Sequence, residues 1–359
     1  MNDRPELCAV VPAYRATQQV ANVVAGLMRY VAHVFVVDDH CPDGSGDAVD
    51  AAFGASHPRV TVLRLPRNLG VGGAVMEGYR AAAAAGFRII IKVDADGQMD
   101  PAFIPALAAP IEDGLADYTK GNRFFDPELL RTMPRARLIG NAGLSFLAKL
   151  STGHWQVMDP TNGFTAIHAD LLPWLHLERV EQRYFFETDL LFRLGIINAV
   201  VQDVPMPARY GDEQSHLRIG QALFEFSGKH LMRLFKRIFY TYFLRGFNLG
   251  SVCLLMALPL LLFSLVFGLS EWHRSVSTGI PATAGSIMLA AMPGLIGIQL
   301  LLAFFGQDMA RTPAIPLHRL LHGRRGESSP ALVAAPTPTE TPGSPRSSAA
   351  APPGTDPER

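Results

Sequence analysis

The stretch 92–101, KVDADGQMDP, concentrates the groups best suited to chemistry. Asp94, Asp96 and Asp100 fall within seven residues, directly after the apolar run 87–91. That run, with its Ile-Ile-Ile and no helix breaker, predicts a strand buried on both faces. Asp94 and Asp96 are two apart, so on an extended chain their side chains leave one face. Two carboxylates there repel each other unless a positive charge lies between them. Mg²⁺ or Mn²⁺, which takes one or two carboxylates plus phosphate oxygens of a substrate, meets that need. Gln98 would add a neutral oxygen or bond a bound water. A solvated turn capping a strand would also give the DxD spacing, so the surroundings must decide.

Those surroundings are regular. Residues 7–11, 33–37, 59–65 and 87–93 are apolar runs, and residues 17–30 and the Ala-rich stretch 72–86 have helical character. Strands alternating with helices at this spacing predict βαβ units and a parallel sheet. Ligands of such sheets bind beyond the carboxyl ends of the strands. Pro12-Ala13-Tyr14, Asp38-Asp39-His40, Asn68-Leu69-Gly70 and the DAD stretch all follow strand ends.

In that order, VVPAYRA, VVDDHCPDGS, RNLGVGGA and KVDADGQMDP resemble the nucleotide-sugar-binding half of glycosyltransferase family 2. The nearest likeness is to polyprenyl-phosphate glycosyltransferases of the dolichyl-phosphate mannose synthase type, and it covers roughly the first two-thirds of the chain. The resemblance implies a GT-A fold, an α/β Rossmann-like domain with a mostly parallel sheet. It implies that Pro12, Tyr14 and Asp39 contact the nucleoside, and that Asp94, Asp96 and Gln98 hold Mg²⁺ or Mn²⁺ on the diphosphate. The family's opening motif runs Tyr-Asn-Glu; Arg15 and Ala16 stand here instead, which leaves UDP against GDP open. Other readings stand beside these. Asp38 and Asp39 would serve equally as N-caps of a following helix. Asn68 and the glycines at 70, 72 and 73 either lie near the donor or only form a tight turn, and no GxGxxG follows the first strand.

The next segment supplies an acceptor side. Arg123, after a strand-like segment at 117–118, resembles a family arginine near the donor, or is a surface residue. Asp159-Pro160-Thr161-Asn162-Gly163-Phe164 resembles the family's Asp-Pro-Thr-Ser-Gly-Phe loop. Glu187 and Asp189, on a helix around 186–194, match the position of an acidic pair facing the acceptor and complete a catalytic set with Asp96. Two acids early in a helix would also favour its macrodipole. Residues 199–204 read as an edge strand. Arg209 and Ser215 match a family loop that folds over the donor phosphates, with one residue inserted between Gly211 and Ser215.

Beyond residue 217 the character changes. The catalytic domain is placed at 1–217. Residues 218–247 form a juxtamembrane helix with Lys229, Arg233, Lys236 and Arg237 on one face and Phe224, Leu231, Phe235 and Ile238 largely on another. That pattern fits a helix lying in a membrane interface, or an ordinary surface helix. Residues 248–270 and 282–306 have the length and apolarity to span a bilayer, with Glu271, His273 and Arg274 between them. Internal Pro259 and Pro293 are tolerated in membrane helices. Basic residues flank both spans on the outer sides, which places both termini in the cytoplasm. The N-terminus lacks an apolar signal stretch. With the resemblance, this describes an integral protein of a bacterial cytoplasmic membrane. Residues 326–359, rich in Pro, Ala, Ser and Thr, are expected to be disordered.

Lys+Arg and Asp+Glu are balanced at 32 each, so bulk nucleic-acid binding has no electrostatic support. Cys8, Cys41 and Cys253 form no metal spacing or disulfide framework. The function implied is inverting transfer of a sugar from a UDP- or GDP-sugar to polyprenyl phosphate, in an enzyme that resembles homo-oligomeric relatives. A processive synthase is disfavoured because no arginine precedes Trp155, Trp174 or Trp272. A transferase to a lipid or glycan hydroxyl and a non-catalytic membrane scaffold remain as alternatives.

Overall fold

The computed structural model describes residues 7–125, 135–207 and 219–326. Arg209, Ser215 and the 327–359 tail therefore lie outside the described residues. The chain divides into Met1–Leu321 and His322–Arg359. Of the second unit only residues 322–326 are described, and they are helical.

Strands β1 (Leu7–Ala13), β2 (His33–Asp38), β3 (Val60–Arg64), β4 (Ile89–Lys92), β5 (Tyr118–Asn122), β6 (Thr165–His168) and β7 (Val201–Pro205) form one sheet. Their spatial order is β3-β2-β1-β4-β6-β5-β7. Helices α1 (Val20–Leu27), α2 (Ser45–Phe53) and α3 (Val71–Ala84) connect the first four strands, which pair in parallel. β6 runs antiparallel to β4 and β5, while β5 and β7 are parallel. Six of these strands thus end at one edge of the sheet, and the 159–164 loop enters β6 from that same edge. The mostly parallel sheet expected from the sequence is present, with β7 at its margin. β6, only four residues long, is too short to leave a period.

Alternate strand residues enter opposite cores. Ile90, Val10 and Val37 pack under Val75 and Tyr79 of α3. Ile89, Ile91 and Val11 pack with Val20 and Val24 of α1 and Leu107 of α4 (Ile104–Glu112). The Ile-Ile-Ile run is therefore buried on both faces, as a central strand between two helical layers must be.

α5 (Arg135–Thr152) is inserted between β5 and β6, and α6 (Phe186–Ile196) between β6 and β7. Then come α7 (Ile219–Phe239), a π turn at Tyr240–Leu244, α8 (Leu249–Thr278), α9 (Ala284–Ala310) and α10 (Leu317–Gly326). Helices α8 and α9 form an apolar antiparallel hairpin, mostly unburied by the rest of the protein and long enough to cross a membrane. Small residues let them close on each other: Gly297 sits against Leu261, and Ser264 Oγ donates to Ala290 O at 2.8 Å. Asn248 caps α8 in a capping box with Ser251. One expectation changes here. Residues placed between the spans are helical to Thr278, with Arg274 and Glu271 paired at 2.7 Å on that helix.

The basic face of α7 is also not where a membrane-surface helix would put it. Arg233 bonds Asp189 at 2.6 Å, Arg237 bonds Asp308 at 2.7 Å, and Lys229 reaches Glu181 at 3.4 Å. Leu231, Met232, Phe235 and Phe239 are exposed instead. Lys229, Arg233 and Arg237 turn to the protein, while Lys236 is exposed together with the apolar side.

After α9 the chain returns to the sheet at Asp117, which is fully buried just before β5. Its carboxylate accepts from Leu317 N (2.7 Å), His318 N (2.9 Å) and Val200 N (2.8 Å), with His318 Nδ1 at 2.8 Å. Burial alone would raise this carboxyl's pKa, but these partners outweigh it and hold it below the usual range. A depressed carboxylate stabilises the fold above its unfolded pKa and loses that contribution on acidification. Asp117→Ala is expected to cost about 3 kcal/mol at pH 7. Its deficit in urea unfolding should shrink as pH drops below about 4.

Candidate active site

β4 ends at Lys92, so Asp94 and Asp96 lie in the loop beyond it rather than on a strand face. The two-residue period instead joins Asp94 to Lys92. The Lys92 ammonium, with 3% of its side chain exposed, is 2.5 Å from Asp94 Oδ1 and 3.6 Å from Glu187 Oε1. Burial would push this lysine's pKa down; Asp94 and Glu187 outweigh it and hold it above the ordinary value. Asp94 keeps about a third of its side chain exposed. Asp96 is half-buried, and its Oδ1 accepts from Gln98 N at 2.9 Å. Asp100 caps the turn Pro101–Phe103 by accepting from Ala102 N at 3.0 Å, so the third acid of the cluster is structural.

The second wall comes from the 159–164 loop. Asp159 is fully buried and takes Arg123 in a bidentate pair, Nε–Oδ2 2.7 Å and Nη2–Oδ1 3.1 Å. Arg123 is thereby committed to shaping the loop. Asn162, where the resembling family carries Ser, donates to Gly121 O at 2.8 Å and accepts from Phe164 N at 3.0 Å. Lys120, also fully buried, donates to Asn162 O. Burial lowers the Lys120 pKa against the pull of Glu187 and Asp159. Gly163 packs where a Cβ would overlap Lys92 Nζ and approach Asp94 Oδ2 (2.6 Å) and Glu187 Oε1 (3.0 Å). Only glycine lets this loop close over the charged cluster.

α6 supplies Glu187, whose side chain is 15% exposed. Burial raises its carboxyl pKa, Lys120 and Lys92 oppose that rise, and Asp94 adds to it. Asp189 is two residues on, about 200° around the helix, and does not share this environment. It is fully buried and accepts from Arg233 Nε (2.6 Å), Arg193 Nε (3.3 Å) and Glu181 N (3.1 Å). The expected acidic pair is therefore divided: Glu187 faces the DAD loop, and Asp189 anchors α7.

The nucleoside side is built from the ends of β1 and β2. Asp38 accepts from Cys41 N (2.8 Å) and Gly46 N (2.9 Å), and so holds the start of α2. Asp39, 2% exposed, accepts from Leu69 N (2.6 Å) and Gly70 N (2.8 Å). Burial raises its pKa, partly offset by those two amides. The exposed Asn68 donates to Asp39 O at 3.2 Å. Gly70 has φ +84 and lies against the Gln182 carbonyl, and Gly73 N donates to that carbonyl at 3.1 Å. The glycine-rich turn thus serves to seat the 181–186 segment. Pro12 is buried in β1, while Tyr14 is 45% exposed at the rim with the Arg15 guanidinium over its ring. Arg15 and His40 both have φ +55, two left-handed non-glycine residues following adjacent strands. Such backbone concentrates at functional sites.

Among the described residues no three His, Cys, Asp or Glu side chains converge to hold a cation alone. Two hard carboxylates, one of them a third exposed, fit a divalent ion whose shell would be completed by substrate phosphate oxygens. The spacing of the acids pointed to the loop; the two buried lysines behind it were missed. The signal for Lys92 was a lysine at the end of a strand otherwise made of isoleucine.

Residues 8–173 match the family described as Glycosyl transferase family 2. Over 200 residues the chain is 29% identical to an undecaprenyl-phosphate mannosyltransferase of Micrococcus luteus, covering 55% of this chain and 81% of that protein. Over 187 residues it is 29% identical to a UDP-N-acetylglucosamine–dolichyl-phosphate N-acetylglucosaminyltransferase of Methanococcus voltae, covering 49% and 74%. Glucosyl-3-phosphoglycerate synthase of Mycobacterium tuberculosis, crystallised with Mn²⁺, UDP and glucosyl-3-phosphoglycerate, is 20% identical with a TM-score of 0.47, covering 66% and 80%. Residues 8–173, which include the DAD loop, thus form a Glycosyl transferase family 2 domain, and the chain is a glycosyltransferase with the mixed α/β sheet of the GT-A fold.

Proposed function

We propose that this enzyme transfers a sugar from a nucleoside-diphosphate sugar to polyprenyl phosphate at a membrane surface, inverting the anomeric centre. One observation carries the reading. α6 bears Glu187 toward the DAD loop and Asp189 toward α7, the helix that leads into the apolar hairpin. The reacting end of the fold is thereby tied to the bilayer end through a single helix. An apolar cavity of 330 Å³ between these helices, lined by Phe192, Ile196, Phe239 and Leu244, supports a lipid acceptor. Both relatives named above carry a polyprenyl- or dolichyl-phosphate acceptor in their names, but different sugars. The sugar, and UDP against GDP, are for the experiment to decide. Basic residues flanking the hairpin support a cytoplasmic catalytic domain.

In this mechanism Asp94 and Asp96, with Gln98, hold Mg²⁺ or Mn²⁺, which would neutralise charge on the leaving diphosphate. Tyr14 and the ends of β1 and β2 bind the nucleoside, with Pro12, Asp39 and Asn68 shaping that wall. By family resemblance Arg209 and Ser215 close on the donor phosphates. The acceptor phosphate needs no strong base, because with a second pKa near 6 it is about nine-tenths dianionic at pH 7. Glu187, already paired with Lys92, positions the acceptor side; a hydroxyl acceptor would require it as base.

Membranes carrying the protein should move radiolabel from one of a panel of UDP- and GDP-sugars into polyprenyl phosphate, releasable by mild acid. Asp96→Ala should abolish the transfer. Glu187→Gln should cost about tenfold or less, whereas a loss of about 10²–10⁴ would assign a general base and a hydroxyl acceptor. Label that never enters lipid although the intact protein consumes donor would sink the phosphate reading.

Lys92→Met removes the shared counter-charge of Asp94 and Glu187 and is expected to cost about 2–4 kcal/mol, discounted for the exposure of Asp94. A lysine whose folded pKa is raised loses its contribution only as pH climbs beyond about 10.4. The deficit in unfolding midpoint should therefore be flat from pH 6 to 9.

A further inference from the structure

Asp308 lies in the last turn of α9, at the end of a helix long and apolar enough to span a membrane. A carboxylate there is doubly unfavourable by local criteria. It opposes the helix macrodipole at the C-terminus, and an ionisable group at a bilayer edge is costly unless paired. Asp308 is nonetheless 3% exposed and saturated with donors from three other elements. Arg237 of α7 approaches as a fork, Nη1–Oδ1 2.7 Å and Nη2–Oδ2 3.0 Å. Tyr242 of the π turn donates to Oδ1 at 2.8 Å, and Trp155, in the segment between α5 and β6, donates to Oδ2 at 2.9 Å. The same guanidinium reaches into the catalytic domain, with Nε and Nη2 donating to Leu150 O at 3.1 and 2.9 Å. Leu150 closes α5, where carbonyls lack helical partners and a cation is favoured.

We infer that Asp308 is a positioning residue that sets the height and tilt of the catalytic domain above the bilayer, so that a membrane-embedded acceptor phosphate meets the DAD loop. Every group in the cluster finds its partner only when α9, α7 and the α5–β6 segment hold one relative placement. A hydrophobic contact between the same elements would tolerate sliding. A bidentate charge pair does not. The inference rests on the proposed lipid-phosphate acceptor, and concerns delivery of that acceptor, not the bond-forming step.

The test uses full-length protein in lipid nanodiscs with two acceptors, a long polyprenyl phosphate held in the bilayer and a water-soluble phosphate ester of two isoprene units. Asp308→Asn should lower kcat/KM for the bilayer acceptor by about tenfold or more. It should leave the short acceptor and the KM for the nucleotide sugar within about twofold of the parent. Trp155→Phe, which removes one neutral donor and leaves the charge pair whole, should show the same selectivity at about threefold. Hydrogen exchange should quicken at residues 148–155 and 237–244 in Asp308→Asn, while β1–β4 stay protected. Equal losses on both acceptors, no loss on either, or unchanged exchange at those segments would each overturn the inference. If the parent protein glycosylates neither acceptor, the acceptor assignment fails by itself, and the exchange experiment still decides whether Asp308 ties these elements together.

Discussion

The structure depends on placing several like charges at one dry edge of a sheet. Asp94, Glu187, Asp159 and Asp39 are all partly or wholly buried there. Isolated carboxylates in such surroundings would protonate or open the fold. The chain answers each with a fixed partner: Lys92 for Asp94 and Glu187, Arg123 for Asp159, and the amides of Leu69 and Gly70 for Asp39. The consequence is a preorganised wall. Its polar groups are held by their neighbours before any substrate arrives, which is the condition for electrostatic stabilisation without reorganisation. Among the described acids of this wall, Asp94 and Asp96 keep part of their surface exposed.

α6 converts that wall into a mechanical part. Successive side chains on a helix are 100° apart, so Glu187 and Asp189 necessarily look in different directions. One carboxylate joins the Lys92 cluster and the other receives Arg233 from α7. Further along, Arg237 carries the connection to Asp308 and Arg245 donates to Ile196 O at 2.6 Å. Ion pairs buried this deeply are weak sources of net stability. Their effect is geometric, because removing either partner strands a charge and so no alternative docking of α7 competes.

Much of this was legible in residue order. The alternation of apolar runs and helices gives the parallel half of the sheet, and the four loop motifs at strand ends give the edge where the candidate site lies. The two apolar helices follow from length alone. What escaped was decided by tertiary contacts. β6 carries four residues and no period. Lys92 and Lys120 read as ordinary strand residues until the 159–164 loop closes over them. The acidic pair at 187 and 189 looked like one unit because a motif is read along the chain, whereas its members part around the helix axis. Gly163 gave no hint of its task, since the atoms that exclude a side chain belong to two segments distant in the chain, Lys92–Asp94 and Glu187.

The inversion of α7 has the most general physical content. A period of 3.6 shows that a helix has a charged and an apolar face, but not which face meets which neighbour. For a helix between water and lipid, the charged face is the wet one. For a helix between lipid and a protein surface that presents Glu181, Asp189 and Asp308, the charged face is the dry one, paired at short range. The apolar residues Leu231, Phe235 and Phe239 then face outward. Both arrangements satisfy the same sequence pattern. They are told apart by the acids on the opposing surface, and those acids sit at positions 181, 189 and 308, far apart in the chain and gathered only by folding. α7 has an unburied apolar stripe continuous with the exposed residues Leu244, Phe247 and Leu249 leading into α8, and under the proposed membrane placement lipid would cover that stripe. Under that placement, a helix held by charge on one side and covered by lipid on the other would carry the catalytic domain at a fixed depth without itself spanning the membrane.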